Sequence, residues 1–350
     1  MSRLKVAFWN LQNLFDTIVS DIGADLEFTP EKGWDEQALN NKVANLAAII
    51  RSMFEGSGPD LLGICEIENR RVADKLLQEI GRDDYKLAHV ESPDIRGIDT
   101  SLIYSDAILK LIDDPKAHLV HLRYPTRDIF QVNMRILEND AEMMVLVNHW
   151  PSRRRGNYES EPYRITVASY CGQIIDGILK FPRDEFLAMP DTEATLQRLN
   201  ERWNRNVLLM GDFNDEPFNR SLLDELQAAS GEDKLEEELK ASAGRETPAT
   251  DRYLKAQAYL FNGMWPFLGM PDVGTHYFSG AVNTMNVLDQ FILSRGLYYG
   301  LQGLRLDPQS IEIFTPEPMT TAKGRPKAFD KGTKKGFSDH FPITALIDTL

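Results

Sequence analysis

The run Val207-Leu208-Leu209-Met210-Gly211-Asp212-Phe213-Asn214-Asp215 decides how the rest of the chain is read. Its opening apolar residues show no alternation with polar ones, so the strand they form must be covered on both faces. A glycine turn follows, and then a carboxylate and a carboxamide two residues apart. Residues i and i+2 of an extended segment share a face. Asp212 is therefore placed to take a proton from water while Asn214 hydrogen-bonds the same water or the substrate. The plainer reading is an Asx-type turn that closes a strand.

Working outward, similar short β-prone runs recur at Leu4 to Trp9, Leu61 to Cys65, Ser101 to Tyr104, Ile129 to Ile136, Met143 to Asn148, Phe291 to Leu293 and Ile343 to Ile347. Helical patterns lie between them. Leu39, Val43, Leu46, Ile50 and Met53 step by four and three, as one helix face does, and a similar pattern runs from Arg164 to Leu179. Strands and helices interleave without strict alternation, which predicts a layered α/β sandwich of mixed sheets with helices on the outer faces. No repeat, low-complexity tract or long Pro/Gly/Ser linker divides the chain. The candidate insertion is 215–281, whose acidic run Glu236-Glu237-Glu238 reads as a solvated helix face.

Composition narrows the function classes. With 350 residues, 42% hydrophobic and 26% charged, the chain can bury a large core, which argues against disorder and stable membrane insertion. Cys65 and Cys171 lie in apolar stretches and read as reduced and buried. Met1-Ser2-Arg3-Leu4-Lys5 runs straight into the first strand without a secretory h-region, so the chain as written reads as cytoplasmic. If a leader was trimmed from the recorded sequence, the protein is exported instead. A net charge of −14 opposes tight non-specific binding to DNA, which draws on lysine and arginine. Basic charge is local: Arg153-Arg154-Arg155, and the stretch holding Lys323, Arg325, Lys327, Lys331, Lys334 and Lys335. Nothing in the sequence points to an obligate protein partner.

Three further strand ends carry chemistry. In Gly336-Phe337-Ser338-Asp339-His340-Phe341-Pro342 an acid and an imidazole are adjacent and so face opposite ways, and the imidazole needs another carboxylate to orient it. Asp289, just before Gln290-Phe291-Ile292-Leu293, is the candidate. Asp60 to Glu66 ends a strand with a carboxylate that suits a hard cation, with Asn10 beside it at the end of the first strand. Val145 to Ser152 ends one with Asn148-His149, whose imidazole is placed to donate to a phosphoryl oxygen or protonate a leaving group; its structural role would be a hydrogen-bonded histidine at a strand end.

Taken in order, Trp9-Asn10, Cys65-Glu66, Asn148-His149, Gly211-Asp212-Phe213-Asn214, Leu288-Asp289 and Ser338-Asp339-His340 resemble the endonuclease/exonuclease/phosphatase superfamily over almost the whole chain. The wording of Arg96-Gly97-Ile98-Asp99, Asn148-His149-Trp150-Pro151-Ser152 and Gly211 to Asp215 looks like its bacterial, nuclease-like branch. The resemblance implies one catalytic domain over 1–350 and a four-layered α/β sandwich, two mixed sheets packed face to face. It implies Mg²⁺, with Mn²⁺ or Ca²⁺ as alternatives, held by Asn10 and Glu66, with Asp339 as a ligand at a second position. Asp289 would orient His340, Asp212 and Asn214 would position and activate water, and His149 or His340 would neutralise charge on the phosphoryl oxygens. The general base is either Asp212 or the Asp289–His340 pair. Cys65 stands where the family commonly has Gln, and Gln290 where His or Tyr often follows the orienting aspartate; the second change bears on how a leaving group is held.

The reaction so implied is in-line attack of water on a phosphate ester. Nucleic acid, DNA first, is the expected substrate, with Arg153, Arg154 and Arg155 on flanking phosphates. The rival is a small or lipid phosphoester, for which Phe261, Trp265, Phe267 and Phe278 are the clustered aromatics available to meet a membrane; they read as core. A non-catalytic binding module is the third reading, and the intact polar set speaks against it.

Overall fold

The apolar runs pair into two large sheets in a computed structural model that describes residues 2–18, 25–190, 192–235, 257–279 and 284–350. The strands of the first sheet are β1 (Arg3–Leu14), β2 (Leu61–Ile67), β3 (Tyr85–His89), β4 (Asp99–Ser105), β15 (Leu304–Leu306), β16 (Glu312–Ile313) and β17 (Ile343–Thr349), in the order β15-β17-β1-β2-β4-β3 with β16 also on β17. The second holds β5 (Leu109–Leu111), β6 (Lys116–His118), β7 (Ile129–Ile136), β8 (Glu142–His149), β9 (Asn206–Asp212), β10 (Ala228–Ala229), β11 (Leu260–Asn262) and β14 (Asp289–Leu293), in the order β10-β11-β14-β9-β8-β7-β5 with β6 also on β7. A hairpin, β12 (His276–Phe278) with β13 (Thr284–Asn286), stands apart. Both large sheets are mixed: β1 runs parallel to β2 and antiparallel to β17, and β9 runs parallel to β8 and antiparallel to β14.

Alternation along each strand builds four layers. Val6 and Phe8 of β1 meet Leu208 and Met210 of β9 in the core between the sheets. Ala7 and Trp9 face the other way, onto α1 (Glu36–Gly56) and α2 (Arg70–Ile80). Val207 and Leu209 likewise face α3 (Asn157–Leu179) and α5 (Glu193–Trp203), between which lies the short α4 (Arg183–Ala188). This is the expected sandwich. The stepped residues Leu39, Val43, Leu46, Ile50 and Met53 form the buried stripe of α1, and Asp35 caps it by accepting from the Ala38 amide at 2.9 Å. The sheets approach so closely at Gly63 that a Cβ there would lie 2.5 Å from the Met210 sulfur.

All eight runs singled out in the sequence are strands, whereas β3, β5, β6, β10, β11, β15 and β16 are short pieces near the sheet edges. Residues 236–256 and 280–283, including Glu236-Glu237-Glu238, lie outside the described residues. Within the rest of 215–281, Phe261 is buried, Trp265 and Phe267 are half-buried, and Phe278 is 50% exposed, which departs from its reading as core. Among the described residues no helix is long and apolar enough to cross a membrane.

Candidate active site

Parallel pairing brings the ends of β1 and β2 together, and those of β8 and β9, on one rim of the sandwich. Ligand sites form at such carboxyl ends. On β9, Asp212 lies level with His149 of β8 on one side and Asp289 of β14 on the other. The glycine before it is required by this pairing, because a Cβ at Gly211 would sit 2.3 Å from the Asn148 carbonyl oxygen.

Glu66 reaches the rim through a bulge. The β2–β4 register shifts between Cys65 and Ile67, and Glu66 adopts φ 61°. Plain alternation would turn Glu66 toward the helices with Ile64, but Ile67 takes that face and the extra residue is lifted out. A second irregularity lies beside it on β1, where Gln12 and Asn13 both have φ 54° and the Asn13 amide donates to Glu66 Oε2 at 2.9 Å. Cys65, by contrast, packs between the sheets, and burial holds its thiol well above the ordinary range.

The side chains converge on one point. His149 Nε2 is 3.5 Å from Glu66 Oε1 and 3.8 Å from Asp212 Oδ2, and His340 Nε2 is also 3.8 Å from Asp212 Oδ2. Asn10 Nδ2 donates to Asp212 Oδ2 across the sheets at 3.1 Å, and its Oδ1 accepts from the Gln12 amide at 2.9 Å. Asp289 Oδ2 is 2.7 Å from His340 Nδ1. Asn214, at φ 50°, turns its amide nitrogen to the Trp150 carbonyl at 3.0 Å, while its backbone N–H donates to Asp212 Oδ1 at 2.9 Å. The Ser338 hydroxyl, bonded to the Asn10 carbonyl at 2.6 Å and accepting from the His340 amide at 3.1 Å, ties the last strand to the first.

Electrostatics separates the two imidazoles. Burial, reinforced by Arg127 and Arg96, pushes His149 well below the ordinary histidine range, so it is neutral. Burial also opposes charge on His340, but Asp289, Asp212 and Asp339 outweigh it and raise the group to about 10. Asp212 rises to about 7, chiefly by burial, with Asp289 and Glu66 adding to it against the pull of His340. Beneath the site, Lys42 of α1 donates to the Gln12 carbonyl; burial lowers it to about 7, against the pull of Asp339 and Glu66.

These groups floor a cavity of about 730 Å³, lined by Glu66, His149, Asp212, Asn214, Asp339 and His340 among others. Asn10 and Asp289 stand behind that wall. The donor set suits a hard divalent cation, since Glu66 and Asp339 both face the cavity and offer carboxylate oxygens to it.

Of the two basic stretches, Arg153 and Arg154 line the cavity. Arg153 is largely engaged, donating to the Asn214 carbonyl at 2.6 Å, Asp215 at 3.1 Å and Asn219 at 3.0 Å. Arg154 is exposed, and the Arg155 side chain lies outside what is described. The Lys323–Lys335 stretch does not line the cavity. Lys334 instead pairs with Asp35 at 2.6 Å, Lys331 donates to the Glu27 carbonyl and Arg325 stacks on Tyr277. Gln290 is fully buried, donating to the Asp215 carbonyl and accepting from Asn262, so it braces the loop after Asp212 and does not line the cavity.

Several residues around the site carry little or no signal in the sequence. Arg96 was visible only inside Arg96-Gly97-Ile98-Asp99; it lines the cavity and donates to Asn13 Oδ1 at 3.0 Å. Lys42 sits among the apolar positions of α1, which is a readable signal. His276, whose ring is 4.6 Å from that of His340, and Arg127, which donates to the His149 and Trp150 carbonyls and pairs with Asp94, carry no local signature.

The profile of the Endonuclease/Exonuclease/phosphatase family matches residues 5–193 and 187–349. No curated protein matches the chain. Among solved structures, an endonuclease/exonuclease/phosphatase family protein from Bacteroides thetaiotaomicron aligns at 12% identity and TM-score 0.55, covering 100% of this chain and 96% of its own. D. rerio TDP2 in complex with a single-strand DNA product aligns at 12% identity and TM-score 0.53, covering 100% of both chains. The human Nocturnin catalytic domain with bound sulfate aligns at 13% identity and TM-score 0.53, covering 99% of this chain and 95% of that one.

Proposed function

Since this chain belongs to the endonuclease/exonuclease/phosphatase family and is a phosphoric ester hydrolase, we propose that it is a Mg²⁺-dependent phosphodiesterase acting on nucleic acid, DNA foremost, with residues 1–350 as one catalytic domain. The observation that carries this reading is the convergence of Glu66, His149, Asp212 and His340 around one point beneath a cavity bordered by exposed Arg154. Mn²⁺ or Ca²⁺ would suit the same oxygen donors.

Glu66 would be the principal metal ligand, with Asn10 beside it and Asp339 at a second position; the ion would neutralise charge on the phosphoryl oxygens when bound. Asp212 is the favoured base. It is raised to about 7, which matches a neutral working pH, whereas His340 is held as an imidazolium by Asp289 and is better suited to stabilise the oxygens around phosphorus. Neutral His149 would hydrogen-bond a non-bridging oxygen, and Asn214 would orient the attacking water. Arg154 would take a flanking phosphate, alongside Arg155. Arg153 would act mainly by holding the loop that carries Asn214.

Support for an extended, base-bearing substrate comes from the cavity's rim, where Tyr158 is 87% exposed and Phe278 50% exposed. Aromatic faces of this kind stack on bases. The rival, a small or lipid phosphoester, gains from the lysines of the 323–335 stretch lying elsewhere.

One experiment decides between them: turnover of plasmid, single-stranded and abasic DNA, RNA, sphingomyelin, inositol phosphates and bis-p-nitrophenyl phosphate with Mg²⁺ or Mn²⁺. Salt dependence is compared in wild type and Arg154→Ala. The nucleic-acid reading expects DNA cleavage with a salt slope shallower by about one in the variant, and unchanged small-diester hydrolysis. Preference for a compact substrate, with no slope change on DNA, would favour the rival.

A further inference from the structure

A second group of metal-ligating side chains lies away from the catalytic cavity, where β3 ends and β4 begins. His89 is the last residue of β3, Asp99 the first of β4, and Glu91 sits two residues beyond His89. One ligand atom from each lies within 4.8 Å of the other two, and none of the three residues lines the cavity. His89 Nε2 is 3.0 Å from Glu91 Oε1 and 3.7 Å from Asp99 Oδ2.

The hydrogen bonding leaves this arrangement incomplete. His89 Nδ1 is 2.6 Å from the Ser101 hydroxyl. If that nitrogen carries the ring proton, Nε2 directs a lone pair at two carboxylates. Asp99 is 2% exposed; its Oδ1 accepts from the Ser92 amide at 2.9 Å, but its buried Oδ2 has no hydrogen-bond partner among the described residues. Glu91 Oε1 accepts from the Arg70 amide at 3.2 Å and, in the other tautomer, from His89 Nε2 at 3.0 Å; its side chain is 60% exposed, leaving the outer side open to solvent. With the proton on Nδ1, three electron-rich atoms face one point, and one of them is a buried oxygen that accepts nothing among the described residues.

We propose that His89, Glu91 and Asp99 form a second divalent-cation site, one imidazole nitrogen and two carboxylate oxygens, of the kind that suits Zn²⁺. Metal–ligand bonds of roughly 2.0 to 2.2 Å place adjacent donors roughly 3.0 to 3.6 Å apart; the 3.0 Å from His89 Nε2 to Glu91 lies in that range and the 3.7 Å to Asp99 just beyond it. The Ser101 hydroxyl supplies the outer contact that orients a ligating histidine. Such an ion would join the two ends of the 90–98 loop, which carries Arg96 to the cavity and Asp94 to Arg127. Its role is structural, so its detection is independent of turnover. The competing occupant is a proton shared by Asp99 and Glu91, since burial, with Glu91 adding, raises Asp99 to about 8.

The test is to titrate Zn²⁺, and Co²⁺ as a coloured probe, into the full chain carrying Glu66→Gln and Asp339→Asn, which disables the catalytic centre. The site predicts one retained ion per chain with visible Co²⁺ bands. It also predicts slower hydrogen exchange across 90–98 when Zn²⁺ is present. Adding His89→Ala should abolish the bound ion. Glu91→Gln, at an exposed position that does not threaten folding, should weaken affinity at least tenfold. Absence of a bound ion in the Glu66→Gln/Asp339→Asn protein, or unchanged affinity after Glu91→Gln, would overturn the proposal in favour of the shared proton.

Discussion

Removing the carboxylate behind His340 should convert that ring from an imidazolium to a neutral imidazole at pH 7. The Asp289 side chain is fully buried and contacts His340 Nδ1 at 2.7 Å. A rise of His340 from 6.5 to about 10 corresponds to roughly 5 kcal/mol at ~1.36 kcal/mol per pH unit. That figure is the net of burial, which opposes the charge, and of Asp289, Asp212 and Asp339, which favour it. Losing one partner of a buried, hydrogen-bonded charge pair typically costs ~3 to 5 kcal/mol. Asp289→Asn preserves shape but removes the charge that holds the imidazolium, and should lower turnover by roughly 10² to 10³, the range for losing one group that stabilises charge on reacting oxygens. NMR titration of the ring should show His340 protonated at pH 7 in wild type and neutral in the variant. His340→Ala should cost as much, and the double variant little more, because the pair acts as one unit. Full additivity in the double-mutant cycle, or a ring pKa unmoved by Asp289→Asn, would refute the orienting role.

Glu66→Gln removes one charged oxygen from the metal donor set; turnover should fall and be partly restored by excess Mg²⁺, and wild-type metal dependence would remove Glu66 from that role. Arg153→Ala should destabilise the fold by ~1 to 3 kcal/mol, since it strips the Asn214 carbonyl and Asp215 of donors, whereas Arg154→Ala at its exposed position should leave the denaturant midpoint unchanged. His276 is lowered to about 4, by burial and then by His340. Its unfolded form gains a proton first as the pH falls, so the stability it contributes is present above about 6.5 and is lost as the pH falls through about 4. His276→Gln should flatten the urea-midpoint profile across that window, and an unaltered profile would show that the ring does not couple to folding.

The strand ends were legible because their residues are local signals. Uniformly apolar runs such as Val207 to Met210 predicted doubly covered strands, and the carboxylates, amides and imidazoles at their ends are the groups the fold gathers. The α1 stripe was legible for the same reason: side-chain periodicity follows from backbone geometry alone. The short edge strands were not, because pairing with a neighbour, not their own composition, makes them strands.

Which groups face the cavity was decided only by tertiary structure. Glu66 points there because a bulge interrupts the alternation that would have turned it toward the helices. Arg153 reads as free cationic charge in sequence but is held by the loop after Asp212, and the lysines near Ser338 fold back onto Glu27 and Asp35. Gln290, level with Gly211 on the adjacent strand, turns into the protein and braces that same loop. His276, Arg127 and the group of His89, Glu91 and Asp99 depend on contacts between residues that no local pattern links. Backbone periodicity sets the face on which a side chain starts, but hydrogen-bond and charge partners set where its polar end finishes, and those partners are brought together by the packing of the two sheets.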